Sequence, residues 1–255
     1  MARKPIIVGN WKMNGTVEET LKLITELHHK LESPEVDVVV APPFTSLYSA
    51  YVMLQEMPTI KLAAQNMHWE AEGAYTGEIS GVFLKEIACD YVIIGHSERR
   101  QYFAETDEAV CKKVASAVAQ ELIPILCIGE TRDQRASGKT ENVLESQLKK
   151  ALSAIPMSEA KNIVVAYEPV WAIGSGETPT EKEIESAAYF IRNYLGRLYD
   201  APTANTMRIL YGGSVNSENS GIFLRIPNID GLLVGGASLF PEKFLKIIES
   251  RHSSS

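Results

Sequence analysis

Three cysteines in 255 residues, Cys89, Cys111 and Cys127, are few, odd in number and far apart, and no two form a C-x-x-C pair. A disulfide framework and a structural zinc site are excluded on that ground. No stretch reaches the ~18 consecutive apolar residues of a membrane-spanning helix. The opening Met1-Ala2-Arg3-Lys4-Pro5 leads into too few apolar residues for a signal-peptide core, so the expectation is a cytoplasmic protein without a membrane partner. The Asn14-Gly15-Thr16 glycosylation pattern is then a chance match. Positive charge is also short. With 25 basic against 32 acidic residues the net charge is −7, a field that opposes nucleic acid and anionic lipid. If the ligand is itself an anion, its counter-charge must be local, supplied by a specific Lys or by aimed backbone N–H groups.

Nucleotide and nucleophile motifs are missing too. Gly138-Lys139-Thr140 ends like a P-loop, but Asp133 stands where the first glycine is required. Gly174-Ser175-Gly176 lacks the third glycine of a dinucleotide fingerprint, because Pro179 holds that place. Ser214 misses a nucleophile elbow through Asn216. Among the histidines only His28 and His29 are neighbours, and successive residues of a helix face different ways, so they are read as surface residues. No cofactor and no metal are expected.

What the sequence has, in place of these, is apolar content of 45% arranged in eight short runs: 6–8, 38–40, 60–64, 91–94, 123–128, 163–166, 209–211 and 232–234. Apart from Lys61 in the third, each is apolar on consecutive residues, the pattern of parallel strands covered on both faces. Between them lie segments of helical spacing, including 16–31, 106–120, 142–152 and 181–198. Thr16 with Glu19 and Thr180 with Glu183 mark two of the helix starts as capping boxes. Eight alternations without a low-complexity linker predict a single (β/α)8 barrel over residues 1–255, with 251–255 a frayed polar tail; an open doubly wound sheet shares the local pattern.

In such a barrel, polar residues just after the strands carry the functional expectation. After the first run come Asn10 and Lys12, two apart and able to face the same way if the chain stays extended. After the fourth comes His96 at a predicted helix start, where N–H dipoles should lower its pKa and leave a neutral donor, with Glu98 next to it as an ion-pair partner for Lys12 or Arg99. After the sixth, Glu168 is followed by Pro169-Val170-Trp171-Ala172-Ile173 and Gly174-Ser175-Gly176. Apolar residues there would be exposed unless the loop folds down, so the segment reads as a lid that excludes water and raises the basicity of Glu168. Glycine pairs at 212–213 and 235–236, after the last two runs, stand where barrels build phosphate sites from backbone N–H groups.

Together these blocks resemble the triosephosphate isomerase family, from Asn10-Trp11-Lys12-Met13-Asn14-Gly15 to Gly235-Gly236-Ala237-Ser238-Leu239, nearly the whole chain. Ala64-Gln65-Asn66, the 73–80 segment, Gly95-His96-Ser97-Glu98-Arg99-Arg100, Tyr167-Glu168-Pro169-Val170-Trp171 and Tyr211-Gly212-Gly213-Ser214-Val215 look like the family as well. The resemblance implies interconversion of dihydroxyacetone phosphate and glyceraldehyde 3-phosphate, with Glu168 as base, His96 as electrophile and Lys12 as the cation near the developing charge. It places Asn10 in the substrate pocket and the phosphate on Gly174 or Ser175, Ser214, Gly235 and Gly236. It further implies a homodimer, through the 73–78 loop. The chain departs from the family's frequent Thr-Gly-Lys-Thr-Ala at Ser175-Gly176-Glu177-Thr178-Pro179, which is expected to alter lid opening or closing and leave the chemistry unchanged. A catalytically silent barrel that binds sugar phosphates is the competing reading, along with a phosphate-binding barrel of a biosynthetic enzyme.

Overall fold

The computed structural model describes residues 3–31, 35–174 and 177–250. The expected polar tail, 251–255, lies outside them, as do Ser175 and Gly176. Eight parallel strands, β1 (Ile6–Asn10), β2 (Asp37–Ala41), β3 (Ile60–Ala64), β4 (Tyr91–Ile94), β5 (Ile123–Ile128), β6 (Val164–Tyr167), β7 (Arg208–Gly213) and β8 (Gly231–Val234), close into a barrel in sequence order. The expected (β/α)8 fold is therefore the one present, and every strand coincides with an apolar run to within two residues.

The consecutive burial has the cause inferred from the sequence. Ile6 and Val8 of β1 point into the barrel interior with Val39, Ala63, Ile93, Ile125, Ala166 and Leu210, whereas Ile7 joins the layer between strands and helices. Each strand thus loses apolar surface to water on both faces, worth roughly 25 cal/mol per Å². Closure of the barrel needs β8 against β1, with Gly231 paired to Ile6. A Cβ on residue 231 would sit 1.9 Å from the Ile6 carbonyl oxygen, so the last strand can approach the first only because that residue is glycine.

The helices form the outer ring. Helix Val17–Lys30 starts at Thr16 and helix Glu181–Leu198 at Thr180, both with the reciprocal Glu bond expected of a capping box. A third box, Thr131 with Gln134, opens the short helix Arg132–Ala136 after β5. His28 is half-buried and His29 exposed near the end of the first helix. Among the described residues no helix is long and apolar enough to cross a membrane.

Candidate active site

At the end of β1 the chain does not stay extended. Asn10 is buried and Lys12 adopts φ 53°, a left-handed conformation that costs a non-glycine residue about 1–3 kcal/mol and persists only where its surroundings enforce it. Here Lys12 N–H donates to Asn10 Oδ1 at 3.1 Å, and Gln65 Nε2 donates to the carbonyls of Lys12 and Ala41, each at 2.8 Å. The two side chains do reach one cavity, through this turn and not through a continued strand. The Lys12 ammonium donates to Glu98 Oε1 at 2.5 Å, the ion pair anticipated for Glu98.

His96 caps the helix Ser97–Tyr102, and its Nδ1 accepts from the backbone N–H of Glu98 at 3.2 Å. An acceptor at Nδ1 leaves the ring proton on Nε2, which lies 3.1 Å from Glu168 Oε1. Glu168 in turn is buried, with Oε2 accepting from the Ser97 N–H at 3.1 Å. One helix N-terminus therefore fixes the imidazole and the carboxylate together. Behind them, the Glu168 N–H donates to Ile128 O at 2.8 Å. Residue 129 must be glycine, since a Cβ there would lie 1.7 Å from the Glu168 carbonyl oxygen.

The proton affinities run opposite to the sequence expectation for both groups. Burial is the largest single influence on His96 and lowers its pKa, but the Glu168 carboxylate beside it, joined by Glu98, outweighs burial and the result is raised. For Glu168, burial pushes upward, yet the adjacent His96, the Ser97 N–H and Lys12 hold it below the ordinary carboxylate value. The helix dipole and the apolar cover are present, and the mutual contact of the pair overrides them.

The segment after Glu168 folds down as anticipated. Val170–Ala172 forms a 3₁₀ turn in which Trp171 and Ala172 are buried. Trp171 Nε1 donates to Glu130 Oε1 at 2.8 Å, and the Tyr167 hydroxyl lies 3.3 Å from both oxygens of the same carboxylate. Burial raises the pKa of Glu130, although these donors pull it back. The Arg135 guanidinium covers the indole at 3.9 Å from its centroid, and Ser214 Oγ donates to Ala172 O at 3.2 Å.

A cavity of about 30 Å³ remains between Asn10, Lys12, His96, Glu168, Ile173, Gly213, Leu233 and Gly235. It brings together Asn10, Lys12, His96, Glu168 and Gly235 from the sequence-derived site. Ser214 touches the covering segment, and Gly174 and Gly236 are exposed and do not line the cavity. The expected phosphate contact Ser175 lies outside the described residues. Gly213, from the glycine pair at 212–213, lines the cavity as well, while Glu130 and Leu233 carry no expectation of a site role from the sequence; the one available signal is Glu130, a carboxylate two residues beyond an apolar strand.

The fold and site define a class: a (β/α)8 barrel carrying at its C-terminal mouth a carboxylate, an imidazole N–H and an ammonium, groups suited to moving a proton at a carbon beside a carbonyl. The family model described as triosephosphate isomerase matches residues 5–251. The triosephosphate isomerase of Dictyoglomus turgidum is 50% identical over 249 residues, covering 97% of this chain and all of that one. Those of Alkaliphilus metalliredigens and a Thermoanaerobacter species are each 50% identical over 246 residues, 96% of this chain and 99% of theirs. The chain belongs to the triosephosphate isomerase family.

Proposed function

We propose that this protein interconverts dihydroxyacetone phosphate and D-glyceraldehyde 3-phosphate through an enediolate. The observation that carries the reading is the convergence of Glu168, the His96 Nε2–H and the Lys12 ammonium on one cavity beneath an apolar cover. The carboxylate of Glu168 removes a proton from the carbon beside the carbonyl and returns it to the neighbouring carbon. His96 donates to the oxygens on which charge develops, and Lys12 stabilises that charge. A positioned base contributes about 10²–10⁴-fold and an oxyanion donor about 10²–10³-fold, so the groups must act together.

The geometry adds a requirement. A cavity of about 30 Å³ holds roughly two waters, too little for a triose phosphate. Binding therefore needs the cover to lift and Glu168 to exchange its bonds to Ser97 and His96 for a position against substrate carbon. Backbone N–H groups of Gly174 or Ser175, Gly235 and Gly236, with Ser214, are the proposed seat of the phosphate.

The chain is read as one domain working in the cytoplasm without nucleic-acid or membrane partners, and as a homodimer. Exposed apolar side chains support the dimer: Met13, Phe44, Tyr48, Tyr75, Phe83 and Phe103 all fall in the connections that follow β1 to β4. Tyr75 also packs on His68 of its own barrel, with ring centroids 4.4 Å apart.

The test mixes pure protein with glyceraldehyde 3-phosphate, without added cofactor or metal, and follows dihydroxyacetone phosphate. Binding of the sugar phosphate without turnover would instead identify a catalytically silent barrel.

A further inference from the structure

His96 and Glu168 are both held by the start of the helix Ser97–Tyr102, and a helix of 6 residues is too short to fix its own direction. Its orientation must come from tertiary contacts. One of its side chains, Arg100, bonds to the ends of two strands. Nε donates to the Gly95 carbonyl at 2.8 Å, just beyond β4, and Nη2 to the Cys127 carbonyl at 3.4 Å, near the end of β5. Nη1 donates to Asp107 Oδ1 at 2.5 Å, on the first residue of the helix Asp107–Ala119. Arg99, by contrast, reaches only into the connection after its own helix, where its Nε donates to Glu105.

Gly95 is the residue that leads into His96, and it turns the chain with φ 73°. The guanidinium packs directly on that turn. A Cβ on residue 95 would meet Arg100 Nη2 at 3.0 Å, Val110 Cγ2 at 3.1 Å and the Cys127 carbonyl at 3.2 Å. With its side chain 18% exposed, Arg100 makes these bonds largely out of reach of screening by salt.

We propose that Arg100 is a positioning residue for His96: it fixes the turn and the helix start against β4 and β5, and so holds the Glu98 N–H on Nδ1 and the Nε2 proton toward the cavity. A planar guanidinium fixes three acceptors relative to one another, as a single ammonium could not. The anchor is independent of the segment that covers Glu168, because Gly95, Cys127 and Asp107 all lie outside it. Its effect on turnover rests on the isomerase reading.

Arg100→Lys keeps a cation beside Asp107 but loses the fork. Displacement of a reacting group by about 1 Å can cost about 10²-fold, so kcat should fall about 10- to 10²-fold. KM should stay within about threefold, because a donor to developing charge acts in the transition state more than in binding. Asp107→Asn loosens the same anchor from outside the helix and should move kcat in the same direction by a smaller factor.

Nitrogen-15 NMR of histidine-labelled protein, at a pH that keeps the ring neutral, reads the imidazole itself. In the unaltered protein His96 should give a bare Nδ1 and a protonated Nε2, assigned by their loss in His96→Gln. In Arg100→Lys the two signals should move toward each other as the other tautomer becomes populated, while those of His28 and His68 stay in place. His96 signals that do not move, that move with kcat unaltered, or that move only along with every other histidine would overturn the proposal. Should Arg100→Lys not fold, Asp107→Asn is judged by the same readings. If the unaltered protein does not isomerise triose phosphates, the isomerase reading fails, and the His96 signals alone decide the role of Arg100.

Discussion

The Nε2 of His96 and the Oε1 of Glu168 lie 3.1 Å apart, so each group sets the proton affinity of the other. Burial raises the Glu168 pKa, and contact with His96 does most to bring it down. With His96→Gln the upward influence is left less opposed. The acid limb of kcat/KM, which reports the free enzyme, should then move to higher pH, while kcat falls about 10²–10³-fold. Rate profiles of both proteins between acid and neutral pH check this; an acid limb that stays in place would show that His96 does not tune the base.

Glu168→Gln removes the proposed base but keeps the shape of the side chain. The expected loss is about 10²–10⁴-fold in kcat, with phosphate-ligand affinity held within about tenfold, or 1.4 kcal/mol. Near-normal turnover would end the proposed mechanism. The same variant has a stability signature. A carboxylate whose folded pKa lies below its ordinary 4.5 adds stability above that value and loses it as pH falls through the folded pKa. Denaturant midpoints of Glu168→Gln should accordingly drop less steeply on acidification than those of the unaltered protein.

Gly129→Ala tests how the proposed base, Glu168, is positioned. The new methyl would occupy the place of the Glu168 carbonyl, which it would meet at 1.7 Å, and β5 and β6 must part at their ends to relieve the overlap. Displacement of a reacting group by about 1 Å can cost about 10²-fold in rate. Steady-state kinetics should show that fall in kcat alongside a lowered denaturation midpoint. A variant with full activity would mean that the strand ends yield without moving the carboxylate.

Thr76→Glu addresses assembly. Thr76 is exposed and belongs to the segment read as the interface loop, and an unpaired carboxylate buried in a partner's surface costs several kcal/mol. Sedimentation at micromolar concentration should show the variant as a monomer of low activity beside a dimeric parent. A parent that sediments at 28.1 kDa with full activity, or a variant that remains a fully active dimer, would remove the loop from the interface.

The barrel was legible because each strand is buried on both faces, which leaves uninterrupted runs such as Ile6-Ile7-Val8 and Tyr91-Val92-Ile93-Ile94. Glu168 and His96 were legible because a charged or titratable residue follows such a run. Gln65 and Glu130 were not, since their roles consist of bonds to Lys12 and Trp171, residues remote in sequence. The left-handed turn at Lys12 had no local signal, because the bonds that enforce it come from Asn10 and Gln65. The directions of the two pKa shifts were misjudged for a related reason. Dipole and burial can be inferred from neighbours along the chain, but the contact between His96 and Glu168 exists only after folding.

Gly231 seats the last strand on the first, and the cavity takes Asn10 from one and Gly235 from just beyond the other. The cavity is thus complete only once the chain extends past Gly235 and the ring has shut. On the proposed reading, a chain cut before β8 carries the base and the imidazole but no enclosed site for them to act in.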